Sequence, residues 1–288
     1  MDIFRAEKAG FCMGVELALA KLDTLIRKEP GHTVYTLGAI IHNPQVVKMY
    51  ADRGVVTLQT ADQAPSGSTV VVRAHGIARK VREDLCRRRI KIVDATCPKV
   101  MSACHLIEQH TVGERILLLY GEAAHPEVKS LLSYAGGESV VFDGMAHCAQ
   151  LNLDPDKKYC LAAQTTKDKE RFREISDYLQ KRQQLDLLIL ETICDATRQR
   201  QQEAVRIAGQ VDFVIVAGGY ESSNTRCLVA IVRAHGTRAL HVETAEELPL
   251  EKLRNYRRIG LTAGASTPKE VIDQIERVLA SMEEITVE

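Results

Sequence analysis

The chain lacks an excess of charge of either sign: 38 Lys and Arg residues balance 38 Asp and Glu residues. Without a positive excess it has no general attraction for nucleic acid or anionic membrane, so neither is expected as a partner. It also lacks an apolar run near the ~20 residues of a membrane span. Its longest runs, such as 116–120 and 187–190, are the size of strands. The start, MDIFRAEKAG, has charges where a signal peptide needs its apolar stretch, so a cytoplasmic protein is expected. No Cys-x-x-Cys pair occurs among the eight cysteines, which removes a zinc ribbon and a thioredoxin-type dithiol. There is no low-complexity segment or long linker. Ala217-Gly218-Gly219 is too short a match for a dinucleotide-binding loop.

What is present is a chain able to bury a core, 45% hydrophobic and 26% charged over 288 residues. Strand-like runs (VVVRA, ILLLYG, FVIVAGG, IGLTAG) alternate with helical patterns. Val15, Leu19, Leu22 and Ile26 recur at helical spacing, as do Val271, Ile275, Val278 and Met282. This alternation predicts an α/β protein with largely parallel sheets.

Lining up the strand ends reveals a repeat. IFRAE leads to Cys12, KIVDA to Cys97 and LLILET to Cys194, each followed by a helical pattern. The next strand end falls 30, 28 and 28 residues beyond these cysteines, at His42-Asn43-Pro44, His125-Pro126-Glu127 and Ser222-Ser223-Asn224. A third set of corners follows: Ala74-His75-Gly76, Gln164-Thr165-Thr166 and Gly264-Ala265-Ser266. Three units of four strands are therefore expected near 1–96, 97–193 and 194–288, repeated in architecture with little side-chain identity. Ligands of open α/β sheets lie beyond the carboxyl ends of the strands, which is where all nine corners fall.

Three cysteines at strand-to-helix corners suit metal binding, because a helix N-terminus favours the thiolate, the ligand form. A structural zinc site takes four protein ligands. Three thiolates suit an iron–sulfur cluster with one iron left open. The other reading is three unrelated buried cysteines, each a small hydrophobe. His42, Asn43, His75, Ser222, Ser223, Asn224 and Ser266 place short polar side chains near helix starts, a setting that binds phosphate, although each motif alone also serves as an ordinary cap or turn. Glu127 has His125 two residues away, and in a closed, desolvated pocket its pKa rises, making it a candidate proton donor. Alternatively it complements the helix dipole. Thr165 or Thr166 either joins a proton relay or caps the next helix. The run Arg87–Arg89 reads as a solvated helix end or as a docking patch for an acidic redox partner.

These residues resemble a known family. GFCMGV, IHNPQVV, RAHG, DATCP, HPEV, QTT, TICDAT, ESSN and TAGAS occur in this order over nearly the whole chain, in a sequence similar to the 4-hydroxy-3-methylbut-2-enyl diphosphate reductases. The resemblance implies three small α/β domains arranged as a trefoil around one [4Fe–4S] cluster per chain, ligated by Cys12, Cys97 and Cys194. It implies a diphosphate pocket formed by His42, His75, Ser222, Ser223, Asn224 and Ser266, with His125 close to substrate. Glu127 is implied as the proton-delivering acid and Thr165 as its hydroxyl partner. The implied reaction is reductive dehydroxylation of the allylic diphosphate to isopentenyl and dimethylallyl diphosphate with two electrons and two protons, the substrate hydroxyl binding the free iron. Ferredoxin or flavodoxin is the implied electron donor, and a monomer the implied state.

The chain departs from the family pattern at Asp195, Arg198 and Gln199, where Tyr, Thr and Asn are common, at Glu122-Ala123-Ala124 before HPEV, and at Lys99, Ser102 and Thr225. Three other readings compete: a relative that keeps the cluster for another small phosphorylated substrate, a non-catalytic iron–sulfur sensor or carrier, and a structural zinc protein. The complete set of diphosphate-pocket residues argues against the first, and the His125–Glu127 pair against the second.

Overall fold

Short apolar runs bounded by polar corners make short parallel strands, and the amphipathic segments between them make the crossover helices. A computed structural model describes residues 1–181 and 185–284. In chain order the elements are β1 (Asp2–Arg5), α1 (Met13–Lys28), β2 (Val34–Leu37), α2 (Pro44–Ala51), β3 (Val55–Leu58), β4 (Thr69–Val72), α3 (Arg79–Arg87), β5 (Lys91–Asp94), α4 (Pro98–Thr111), β6 (Arg115–Tyr120), α5 (Pro126–Leu132), β7 (Ser139–Phe142), α6 (Met145–Ala149), β8 (Lys158–Ala163), α7 (Lys169–Lys181), β9 (Asp186–Ile189), α8 (Asp195–Ala208), β10 (Phe213–Ala217), α9 (Ser223–Ala234), β11 (Arg238–Val242), α10 (Leu250–Leu253), β12 (Arg258–Ala263) and α11 (Lys269–Glu284).

The strands form three parallel four-stranded sheets, with orders β3-β2-β4-β5, β7-β6-β8-β9 and β11-β10-β12-β1. Each order is the same pattern, second-first-third-fourth, so the architectural repeat read from the corners is present. The division at 1–96, 97–193 and 194–288, however, put the strand before Cys12 in the first unit. Hydrogen bonding makes β1 the fourth strand of the C-terminal sheet, in register Ile3 with Ile259 and Phe4 with Gly260. Ile3 packs on the core beneath α11, and Phe4 on the core of α8 and α9. The spacing of corners shows where strands end, not which strand lies beside which.

Two compact units are present. One comprises Met1–Val15, Ile41–Lys48 and Asp195–Glu288 and contains the sheet of β10 to β12 with β1. The other comprises Glu16–Ile40 and Met49–Cys194 and contains the two remaining sheets. Inner strands are mostly apolar and buried because helices cover both faces. Leu117 and Leu119 of β6 pack with Val100, Ile107 and Leu131 from α4 and α5, while Leu118 and Tyr120 pack with Phe142, Phe172 and Ile175 on the opposite side. Full burial of each such leucine stabilises the fold by about 2 kcal/mol. The edge strands β1, β5 and β9 share one pattern, an exposed charged first residue followed by three half-buried ones. Each leads to one of the three corner cysteines.

Both predicted helices form, with their stripes rotated by part of a turn. In α1 the buried residues are Val15, Ala18, Leu22 and Leu25, and Ile26 is only half-buried. In α11 they are Ile272, Ile275, Leu279 and Met282. The arginine run is not a uniformly solvated patch: Arg88 turns inward and donates to the carbonyls of Ala61 and Ala64, both at 2.5 Å. Among the described residues no helix is long and apolar enough to cross a membrane.

Candidate active site

Prolines set the site corners. Pro44, Pro98 and Pro126 each open a helix at its first position, where the missing N–H costs nothing. The residue before each is thereby held extended at the helix mouth, and those residues are Asn43, Cys97 and His125. Asn43 is buried and its Oδ1 accepts the Val46 N–H at 3.0 Å. His125 is also buried, and its Nδ1 accepts the Glu127 N–H at 3.1 Å. That bond leaves Nδ1 unprotonated, so a neutral His125 carries its proton on Nε2.

The three cysteines repeat one backbone contact. The Cys97 N–H bonds the Ala74 carbonyl at 2.9 Å, the Cys194 N–H bonds that of Thr165 at 3.2 Å, and the Cys12 N–H bonds that of Ala265 at 3.1 Å. Each acceptor is the second residue beyond the third strand of its sheet: β4, β8 or β12. The true structural equivalents are therefore Ala74, Thr165 and Ala265, which pairs His75 with Thr166 and Ser266, one position from the corner alignment read in the sequence. None of the eight cysteines is in a disulfide. Cys12, Cys97 and Cys194 are half-buried, whereas Cys104, Cys148 and Cys160 are fully buried. Burial pushes the Cys104 and Cys160 thiols up to about 11, so these remain protonated hydrophobes.

In the first unit, the loops after β10 and β12 bring four predicted residues together with the corner at His42. Ser222 caps α9 and accepts the Thr225 N–H at 3.3 Å. Ser223 and Asn224 lie buried in the first turn of this 12-residue helix, whose dipole favours an anion. Asn224 Oδ1 accepts the Ala265 N–H at 2.9 Å, while its buried Nδ2 has no partner among the described residues. Ser266 donates to the His42 carbonyl at 3.1 Å. Gly219 lets these loops meet, since a Cβ there would lie 2.5 Å from that same carbonyl. Thr225 is fully buried and fills the space beside Gly218 and Gly264.

In the second unit, the loops after β6 and β8 assemble the acid. Glu127 is 1% exposed, and its Oε1 accepts the Thr165 N–H at 2.6 Å. Burial pushes its carboxyl up to about 7, against the downward pull of hydrogen bonds from Thr165. It is thus poised to release or take a proton near neutral pH. His75 lies edge-on to His125, with ring centroids 5.2 Å apart. The residues leading to HPEV are anchored here. Glu122 pairs with Lys167 at 3.3 Å, with both side chains at least two-thirds buried. The Glu122 N–H also bonds Gln164 Oε1 at 3.2 Å, and Gln164 Nε2 donates to Thr166 Oγ1 at 3.2 Å. These contacts tie the loop of His125 and Glu127 to that of Thr165. Gln164 stood in the QTT corner and Glu122 was noted as a departure, but nothing in the sequence showed that they join the two loops, and Lys167 carried no signal.

Comparison with known proteins gives one consistent result. The family model described as LytB protein matches residues 3–280. The chain is 49% identical over 285 residues to the 4-hydroxy-3-methylbut-2-enyl diphosphate reductase of Solidesulfovibrio magneticus, covering 98% of this chain and 100% of that protein. A solved structure of the E-1-hydroxy-2-methyl-but-2-enyl-4-diphosphate reductase from Plasmodium falciparum superposes with a TM-score of 0.92 at 26% identity, covering 97% of this chain and 88% of that one. A second, of (E)-4-hydroxy-3-methyl-but-2-enyl diphosphate reductase, the terminal enzyme of the non-mevalonate pathway, has a TM-score of 0.66 at 35% identity, covering 98% and 100%. With its parallel sheets, corner cysteines and buried acid in place, the chain belongs to the LytB family.

Proposed function

We infer that this protein is a 4-hydroxy-3-methylbut-2-enyl diphosphate reductase. It reductively removes the allylic hydroxyl to give isopentenyl and dimethylallyl diphosphate. The observation that carries the reading is the buried Glu127, held by Thr165 beside His125 with its pKa near neutrality, in a chain of this family. The reaction breaks one C–O bond and forms one C–H bond. It takes up two electrons and two protons, and the hydroxyl leaves as water.

Cys12, Cys97 and Cys194 are proposed as the ligands of an iron–sulfur cluster in its [4Fe–4S] form. The donor set fits: three half-buried thiols outside disulfides, each at a strand-to-helix corner, with the buried Cys104 and Cys160 set apart as protonated hydrophobes. When bound, the cluster supplies the electrons and a Lewis-acidic iron for the hydroxyl. The protein's own residues do the rest. His42, Ser222, Ser223, Asn224 and Ser266, with His75, hold the diphosphate; the spare Asn224 Nδ2 donor and the α9 N-terminus support that role. Glu127 delivers a proton to the departing oxygen, Thr165 holds its carboxyl, and His125 offers its Nε2–H toward substrate. Ferredoxin or flavodoxin as donor, a monomeric state and a cytoplasmic location complete the proposal.

The test is anaerobic purification followed by iron and sulfide analysis and a reductive assay with the allylic diphosphate on one preparation. Near-cubane metal content with turnover is expected. A cluster without turnover would favour a sensor or a relative with another substrate, and zinc alone would overturn the ligand assignment.

A further inference from the structure

The sheet β3-β2-β4-β5 changes direction between β2 and β4, because the chain leaves β2 toward one edge and β4 toward the other. The crevice at the carboxyl ends of two such strands is where open parallel sheets bind ligands. The residues immediately after β2 and β4 are Gly38 and Arg73.

Arg73 is in an unusual position for a guanidinium, which stays protonated at any physiological pH. It is half-buried, and its Nε is shielded from solvent with no hydrogen-bond acceptor among the described residues. Burial pushes its pKa down, and among the described residues no carboxylate offsets the effect. Removing a charge from water without a partner is costly. Other shielded arginines are compensated: the buried Arg200 donates to the carbonyls of Lys8 and Gly10 at 2.9 and 2.8 Å, and the half-buried Arg115 bonds Asp186 at 2.7 Å.

Gly38 makes the placement possible. It has φ +73°, and a Cβ there would sit 2.7 Å from Arg73 Cζ. In the sheet of β6 and β8 the equivalent residues are Gly121 and Gln164, and there the amide is hydrogen-bonded at both ends, accepting from the Glu122 N–H and donating to Thr166 Oγ1. Arg73 offers only donors. Two residues on lies His75, which the reading above assigns to the diphosphate.

We propose that Arg73 is an anion-binding residue that contributes its guanidinium, with His75, to recognition of the substrate's phosphoryl oxygens. This rests on the reductase reading. A group waiting for an anion carries its desolvation cost in the ligand-free protein, so removing it should not weaken the fold. A structural arginine behaves in the opposite way.

The test uses anaerobically purified, cluster-loaded full-length protein and the variants Arg73→Gln and Arg73→Lys. Three quantities are measured: kcat and KM for the allylic diphosphate, the Kd of inorganic pyrophosphate by calorimetry, and the ligand-free melting temperature. In Arg73→Gln, KM and the pyrophosphate Kd are expected to rise together by about 10- to 100-fold, the range of a charged hydrogen bond. Because binding of the diphosphate is uniform along the reaction, kcat should stay within about threefold. The melting temperature should be unchanged or higher, and Arg73→Lys should fall between. A pyrophosphate Kd within about twofold of wild type in Arg73→Gln, or a lowered melting temperature, overturns the inference. Wild-type protein that does not turn over the allylic diphosphate overturns the functional reading instead. The calorimetric comparison would still decide whether Arg73 binds an anion.

Discussion

Glu127→Gln isolates the proton carried by the buried carboxyl. The substitution keeps size and an acceptor for the Thr165 N–H, now 2.6 Å from Oε1, but removes the titration. In the folded protein Glu127 titrates near 7, against 4.5 for an ordinary glutamate. At about 1.4 kcal/mol per unit, that difference corresponds to roughly 3 kcal/mol. Because the folded value is the higher one, the contribution is fully present below pH 4.5 and is lost as pH rises through 7. Wild-type unfolding free energy should therefore fall by up to ~3 kcal/mol across that window from this residue, and the variant should lack that part of the slope. Turnover should fall by about 10²- to 10⁴-fold, the usual contribution of a positioned acid. The wild-type decline in rate above pH 7 should vanish with it. Urea unfolding at pH 5, 6, 7 and 8, alongside anaerobic turnover at the same values, measures both. A variant within about tenfold of wild type that keeps the alkaline decline would remove Glu127 from the acid role.

The remaining predictions concern ligands and packing. Replacing Cys12, Cys97 or Cys194 by Ser should abolish the visible absorption and iron content of reconstituted protein, whereas Ala at Cys86, Cys104, Cys148, Cys160 or Cys227 should keep both; loss of the cluster from any of the latter five contradicts the ligand set. Gly264→Ala pushes a methyl group onto Thr225, whose Cβ would be 3.1 Å away, and should cost ~1–3 kcal/mol in denaturant unfolding. Thr225→Ala should recover part of that loss, and an unchanged midpoint for Gly264→Ala would show that the loop yields freely. Glu122→Ala deprives the mostly buried Lys167 of its carboxylate and should destabilise by about 1–3 kcal/mol, with Lys167→Met in the same chain restoring stability; equal single and double variants would show that the pair contributes nothing.

The parallel α/β class was legible because inner strands such as β6 and β8 run apolar after a charged first residue and helices recur between them. The corner residues were legible because prolines and small polar residues punctuate strand ends. Glu127 could be singled out for a raised pKa since it was the one carboxylate at those corners with a histidine two residues away. Strand pairing was not legible: nothing local in DIFR shows that it joins β12 rather than β2. The one-residue offset between His75 and Thr165 was invisible for the same reason, since it is set by which carbonyl receives each cysteine N–H. Arg73 stood in a recognised motif, but its desolvation depends on Gly38, 35 positions earlier in the chain. Packing across adjacent strands creates such relations, and linear spacing does not carry them.

The closure of the C-terminal sheet by β1 has a consequence for the order of assembly. The pairing of Asp2 with Arg258 joins residues from opposite ends of the chain, among the highest sequence separations this protein can offer. Contacts of that kind form late, because the loop entropy they demand is met only once other structure exists. During synthesis the sheets of β2–β5 and β6–β9 can be completed while the ribosome still holds the rest, but β1 has no neighbour until β12 emerges. Cys12, seven residues beyond β1, therefore acquires its fixed position last. On this ordering, Cys97 and Cys194 reach their contacts with the Ala74 and Thr165 carbonyls well before Cys12 meets that of Ala265.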